Sequence, residues 1–386
     1  MSRYASICQK WTKSIIYTSS VQPRCTIHVV IRKRYKYTIA IARQLPDSFP
    51  NALSMDDSLD DVKIIDMNRA KDQHEMYIHS LRQCVPVLEL PVASRSSSLS
   101  LTSNLGGIHV GRNDNETTST ELSKISPTNY NTDYDVALPN DYPDCAFVED
   151  TVIAIGQQAL ITRMGHISRR GEGDAISTIL QQLGMEVLDM NDYYNLTDWI
   201  YGRGNSHISG SAVASKPVID GELATVDGGD VLYTERHIFV GLSDRTNIEG
   251  AMFIRQYFSS YEVIVVPKID PDIKLTHPMP LHLKSAVTHI DSHTLIAPTG
   301  PYGDYLVDTM NVEEFGYKVH RIPDLLSCNV ISCNGHVIVQ DTLCKESQER
   351  LVEAVMESDQ DLIRVDTSEL AKKDAALTCC SVLLEV

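Results

Sequence analysis

No aspartate or glutamate precedes Asp47, although nine lysines and arginines do. The opening MSRYASICQKWTKSIIYTSS is basic and serine-rich, the composition of a mitochondrial transit peptide, and it lacks the apolar stretch of a secretory signal. Residues 1–33 therefore read as a basic N-terminal extension, disordered or transit-like, ahead of a folded domain spanning 34–386. Long apolar runs are also missing. None approaches the roughly 20 residues needed to cross a bilayer, which argues against a membrane protein. A basic stripe with interleaved aromatics is absent too, and the formal net charge of −17 argues against a nucleic-acid partner. The nine cysteines are an odd number without framework spacing, so they read as reduced thiols of an intracellular protein. The expected compartment is the cytoplasm, with the mitochondrion as the alternative that the basic extension raises.

What is present is ordinary for a globular chain: 42% hydrophobic and 22% charged residues over 386 positions, ample for a buried core. Two stretches break the hydrophobic pattern. Residues 94–140 are Ser/Thr/Asn-rich and read as a low-complexity insertion; about 194–220, including GRGNSHISGSAVASKP, reads as a second. Elsewhere a recurrence appears. CAFVEDTVIAIGQQALITRM, GGDVLYTERHIFVGL, HLKSAVTHIDSHTLIAPTG and CNVISCNGHVIVQ each place two apolar runs around a short polar break, the pattern of a β-hairpin. Helix-like segments such as GDAISTILQQLGMEVLDM and RTNIEGAMFIRQYF lie between them. A fifth unit is split between the chain ends, YTIAIARQ pairing with LTCCSVLLEV, with SQERLVEAVMES as its helix. Five such units predict a closed, propeller-like α/β ring latched by its termini.

Near the leading edge of each hairpin sits a residue that an apolar strand does not need. These are Asp144, Glu149 and Asp150 in the first unit, Asp227 and Asp230 in the second, and His282 in the third. Asn329 marks the fourth and Cys379 the fifth. Around a common axis these edges converge. A thiolate is a strong nucleophile once a neighbouring cation stabilises it, a histidine shuttles protons, and paired carboxylates hold a planar cation such as a guanidinium.

The segments LPNDYPDCAFVEDT, ALITRMGHISRR, DGGDVLYT, VGLSDRTN, LHLKS and LTCCSVL resemble, in that order, the dimethylarginine dimethylaminohydrolases. These belong to the guanidino-modifying penteins, whose fold is a five-bladed α/β-propeller of ββαβ-type units. The resemblance runs from about Tyr37 to the end, outside the two insertions. It implies hydrolysis of Nω-methylated arginines, asymmetric dimethylarginine and monomethylarginine, to citrulline and dimethylamine or methylamine. The path is a covalent S-alkylthiouronium, and the consequence is relief of the inhibition of nitric oxide synthesis. It implies Cys379 as nucleophile, His282 as general acid and base, and Asp227 as the histidine's partner. Asp144 and Asp150 would bind the guanidinium, with Glu149 in support and Phe147 packing beside it. Arg169 and Arg245 would hold the α-carboxylate. The backbone carbonyls of Leu53 and Lys373 would meet the amino end, although Lys373 stands where the family has an apolar residue. No metal or organic cofactor is required; zinc held by Cys379 and His282 would inhibit. The partner is a small molecule, and the chain is a monomer or homodimer.

Each residue also has an ordinary reading. Paired cysteines in a strand are usually inert packing residues, and Cys380 is read that way, because neighbours on a strand face opposite sides. His282 is one of thirteen histidines. Asp230 reads as an acid that braces a loop. Cys328, Cys333 and His336 contain no C-x-x-C pair and match no common structural zinc spacing. Two other functions compete. One is deimination of free arginine or agmatine. The other is a catalytically silent binding protein, disabled by insertions that lie just before Asp144 and Asp227.

Overall fold

The described chain begins with β1 (Ile39–Arg43), helix α1 (Met67–Arg82) and β2 (Val87–Leu90), and β2 runs parallel to β1. The helix starts at Asp66, whose carboxylate accepts the backbone N–H groups of Asn68 and Arg69, two donors that a helix end otherwise leaves unpaired. Ala70, Tyr77, Ile78 and Leu81 recur at helical spacing and are buried against the sheet and its neighbours. The computed structural model describes residues 36–54, 64–92, 142–193, 223–269 and 280–386. The extension at 1–33 and both expected insertions lie outside these residues.

Four further units follow the same plan. The first holds β3 (Val152–Ile155), β4 (Gln158–Ile161), α2 (Gly173–Gln182) and β5 (Glu186–Asp189). The second holds β6 (Val231–Tyr233), β7 (His237–Gly241), α3 (Ile248–Tyr257) and β8 (Glu262–Val266). The third holds β9 (Thr288–Asp291), β10 (Thr294–Pro298), α4 (Pro301–Thr309) and β11 (Lys318–Ile322). The fourth holds β12 (Val330–Cys333), β13 (His336–Gln340), α5 (Lys345–Glu357) and β14 (Asp361–Val365). In each, the first two strands are antiparallel and the third returns parallel to the middle one, as a strand–helix–strand crossover requires. The last strand, β15 (Val382–Leu384), lies antiparallel to β1, with Ile41 opposite Val382, and completes the fifth sheet, β15–β1–β2.

The fold is therefore the five-bladed α/β-propeller that the hairpin recurrence predicts. Each blade has three strands, as a ββαβ unit implies; the third follows a helix and carries no turn signal of its own, so the hairpin pattern alone does not show it. One detail differs from the sequence reading. The helix within SQERLVEAVMES belongs to the fourth blade, linking β13 to β14; α1 serves the fifth. The hairpin between β12 and β13 turns on Asn334 and Gly335, with φ of 51° and 89°, the two left-handed positions of a tight two-residue turn. Among the described residues, no helix is long and apolar enough to cross a membrane.

The closing blade is held by burial as well as by pairing. Ile41 is fully buried in a cluster with Val148, Val152, Ile161 and Val382, so it ties the two ends of the chain to the first blade. Replacing Ile41 with Ala should destabilise the fold by about 2–5 kcal/mol, the usual cost of emptying a packed aliphatic site. The check is a lower urea midpoint with an unchanged denaturant slope.

Candidate active site

Before the first strand of every blade the backbone makes one short 3-10 turn. The five are Val148–Thr151, Gly228–Asp230, Leu283–Ser285, Leu326–Cys328 and Thr378–Cys380. Thr378–Cys380 packs on Val148–Thr151, which meets Gly228–Asp230, which in turn meets Leu283–Ser285. The residues that begin or occupy these turns are thereby gathered. Asp150, Asp227, His282 and Cys379 line one small cavity of about 20 Å3, together with Leu53, Asp144, Phe147, Arg169, Arg245 and Lys373.

Two glycines let the turns come this close. A Cβ on Gly228 would sit 2.0 Å from the carbonyl oxygen of Glu149, and one on Gly229 would sit 2.6 Å from His282 Nδ1 and 2.8 Å from Asp150 Oδ1. The paired glycines of DGGDV are there for contact between blades.

Asp150 is the most heavily engaged carboxylate. Arg169 Nη1 donates to its Oδ2 at 2.6 Å, Gly229 N donates to its Oδ1 at 2.9 Å, and His282 Nδ1 stands 3.8 Å away. His282 Nε2 meets Asp227 Oδ2 at 3.1 Å, while Gly165 N donates to the other Asp227 oxygen at 2.8 Å. Asp144 Oδ1 accepts the Leu53 N–H at 3.0 Å. Arg245 Nη1 is buried and has no hydrogen-bond partner among the described residues.

The electrostatics follow from this crowding. Burial alone would lower the pKa of His282, but the carboxylates of Asp150, Asp230 and Asp227 outweigh it and raise the value to about 9, so the ring is an imidazolium at neutral pH. Burial works against ionised Asp150 as well, yet the charges of His282 and Arg169 hold it below the usual carboxylate range. Asp144 and Glu149 are shifted the other way by burial. Burial, reinforced by Glu149 and Asp150, pushes the Cys379 thiol well above its ordinary value. Without a ligand, the site pairs a neutral thiol with a charged imidazole.

No family model matches the chain. It is 28% identical over 245 residues to the N(G),N(G)-dimethylarginine dimethylaminohydrolase of Streptomyces coelicolor, covering 64% of this chain and 76% of that protein. It is 26% identical over 300 residues to the protein of the same name from Pseudomonas aeruginosa, covering 75% of this chain and 98% of that one. A solved structure of the Pseudomonas aeruginosa protein, a cysteine-to-serine variant complexed with citrulline, superposes with a TM-score of 0.58 at 23% identity, over 91% of this chain and 100% of that one. The chain is thus similar in sequence to dimethylarginine dimethylaminohydrolases and shares the fold of that solved structure.

Several residues sit differently from their sequence reading. Glu149 does not line the small cavity. It pairs with Lys284 Nζ at 2.7 Å, accepts from Thr378 Oγ1 at 2.8 Å, and lines a larger cavity of about 150 Å3 between the first strands of the blades. That larger space lacks Cys379, Asp227 and His282, which line the smaller one. Arg169 is a brace more than a free anchor. Besides Asp150 it binds Glu172 at 2.8 Å through Nη2 and donates to the carbonyls of Phe147 and Asp144. Cys379 and Cys380 lie in a 3-10 turn ahead of β15 and not on the strand, so strand alternation is not what separates them. Cys379 reaches the cavity, and Cys380 packs in an apolar cluster with Tyr77 and Leu81.

Asp230 does brace loops, accepting Leu283 N at 3.0 Å and Ser243 Oγ at 2.6 Å. Glu172 escaped notice in the sequence; its only signal is the i, i+3 spacing from Arg169. Among the described residues, the group able to offer a cation three ligand atoms within 4.8 Å of one another is Asp150, Asp227 and His282, which does not include Cys379. Cys328, Cys333 and His336 form no such group.

His282, held charged by Asp150, Asp230 and Asp227, sets a pH dependence whose sign is fixed. The folded pKa of His282, about 9, lies above the ordinary value near ~6.5. The imidazolium's contribution to stability is therefore complete below about pH 6.5 and lost as pH rises through about 9. In Asp227→Asn the imidazole pKa should fall and the loss of stability across that window should shrink. NMR titration of the His282 ring, with urea unfolding at the two ends of the window, checks both.

Proposed function

We propose that the chain hydrolyses Nω-methylated arginines to citrulline and methylamine or dimethylamine, and so relieves their inhibition of nitric oxide synthesis. The observation that carries this is the meeting, in one cavity, of a buried neutral thiol, an imidazolium and two further carboxylates, Asp144 and Asp150. Asp150 has Arg169 and His282 beside it, whereas Asp144 has no ion pair among the described residues, and a substrate guanidinium would supply one.

In the mechanism, Asp144 and Asp150 orient the guanidinium with its central carbon toward Cys379. The arriving positive charge lowers the cost of the thiolate, and the thiol proton leaves to solvent. Sulfur attacks the central carbon, the bond from carbon to the methylated nitrogen breaks, and His282 protonates the departing amine. The product of this half is a cationic S-alkylthiouronium. Neutral His282 then takes a proton from water and the hydroxide oxygen adds to the same carbon; the carbon–sulfur bond breaks as the added hydroxyl gives up its remaining proton to the departing sulfur, releasing citrulline and restoring the thiol. Asp227 holds the imidazole throughout. The unpartnered Nη1 of Arg245 suits the α-carboxylate, and the carbonyls of Leu53 and Lys373 suit the α-ammonium. Arg169 contributes mainly by keeping Asp150 ionised.

Citrulline release from asymmetric dimethylarginine, monomethylarginine, arginine and agmatine tests the reading. Turnover of the methylated substrates is expected. Cys379→Ser should lose turnover while still binding substrate, Cys380→Ser should keep it, and His282→Ala should lose about 10²–10⁴-fold. Turnover in Cys379→Ser would overturn the mechanism, and activity on arginine or agmatine alone would replace the substrate.

A further inference from the structure

The fourth blade supplies no side chain to the cavity, yet the polar residue at its leading edge is almost completely buried. Asn329, 1% exposed, ends the turn Leu326–Cys328. Its Nδ2 donates to the carbonyl oxygen of Lys284 at 2.8 Å and to Thr378 Oγ1 at 3.0 Å, and its Oδ1 accepts the Thr378 N–H at 3.0 Å. Lys284 belongs to the turn that follows His282, and Thr378 immediately precedes Cys379. One amide therefore ties the turn of the imidazole to the turn of the thiol.

The remaining bonds close the circuit. Thr378 Oγ1 gives its hydrogen to Glu149 Oε2 at 2.8 Å, and Glu149 Oε1 meets Lys284 Nζ at 2.7 Å. The direction of each bond to Asn329 follows from its partners. Thr378 Oγ1 donates to Glu149, so it must accept from Asn329, while Lys284 O can only accept and Thr378 N can only donate. The position needs two N–H donors and one oxygen on a short side chain. Aspartate lacks the donors, and leucine lacks both donors and acceptor.

We propose that Asn329 is a positioning residue that fixes Cys379 relative to His282. The proposal rests on the reading of that pair as nucleophile and general acid. Asn329 touches neither the cavity nor a substrate, so it acts on the chemical step and not on binding. Transfer of the His282 proton to the amine departing from the carbon that Cys379 attacks depends on their spacing, and a shift of about 1 Å costs about 100-fold.

Asn329→Ala should lower kcat by about 100-fold with KM nearly unchanged. In a Cys379→Ser background it should bind asymmetric dimethylarginine as tightly as Cys379→Ser alone. Unchanged kcat in a folded Asn329→Ala protein overturns the proposal. So does a parallel collapse of kcat, substrate binding and Tm, which would mark a merely structural residue. Should Asn329→Ala not fold, Thr378→Val keeps the backbone bond to Oδ1 and removes the hydroxyl link; it should lower kcat with KM preserved, and unchanged kcat overturns the proposal. Absence of citrulline formation by the wild type would refute the reaction instead. The positioning role is then read from the iodoacetamide alkylation rate of Cys379 and the NMR titration of His282. Both should change in Asn329→Ala, and two unchanged values would overturn it.

Discussion

Everything in this site depends on keeping Asp150 ionised while it is buried. Its carboxylate is removed from water and surrounded by other acids, a placement that would ordinarily protonate it. Two cations prevent that: Arg169, bonded at 2.6 Å, and His282, 3.8 Å away. Arg169 is in turn anchored by Glu172 and by two backbone carbonyls, so its position is set by the first blade before any ligand arrives. The charge on Asp150 then helps hold His282 protonated, and burial, reinforced by Glu149 and by that same charge, keeps Cys379 a thiol. The protonation states of His282, Cys379 and Asp150, the acid, nucleophile and binding carboxylate of the proposed reaction, are thus one coupled state.

The fold produces this coupling by repetition. One short turn before each inner strand points at the axis, and neighbouring turns touch. Adjacent residues in a turn are sent to different spaces. Asp150 reaches the small cavity while Glu149 lines the large one, and Cys379 and Thr378 divide in the same way. The layer of Glu149, Lys284, Thr378 and Asn329 is a hydrogen-bonded floor with its charges matched internally. The glycines at 228 and 229 are a condition of this arrangement, since side chains there would push the second blade away from Glu149 and from the imidazole.

Much of this was legible in the sequence, and the failures share a cause. Hairpins announce themselves by alternation and a polar break, so four blades and the split fifth could be read. The third strand of each blade pairs parallel, after a helix, and nothing local marks its partner; hence α5 was given to the wrong blade. The residues gathered at the axis were readable because a charged or polar residue at the edge of an apolar strand has no local reason to be there. What Arg169 does was not readable, because its commitments to Glu172 and Asp150 exist only once the first blade has folded. Cys379 was placed on a strand because LTCCSVLLEV is apolar enough to be one, whereas the backbone first turns at Thr378–Cys380 and extends only from Val382.

Of the two carboxylates assigned to the guanidinium, only one is satisfied by the protein itself. Asp150 has its cations; Asp144 has the Leu53 N–H and no ion pair among the described residues. Burial raises the Asp144 pKa, so in the unliganded site it carries a cost that a bound cation removes. The thiol of Cys379 carries a similar cost, since its charged form is opposed by the same acidic surroundings. A neutral ligand would relieve neither. On the proposed reading, a planar cation relieves both at once, ionising the carboxylate that holds it and the sulfur that attacks it. Selectivity for a guanidinium and activation of the nucleophile would then be two results of one electrostatic deficit, so a residue that filled the deficit permanently would weaken binding and chemistry together.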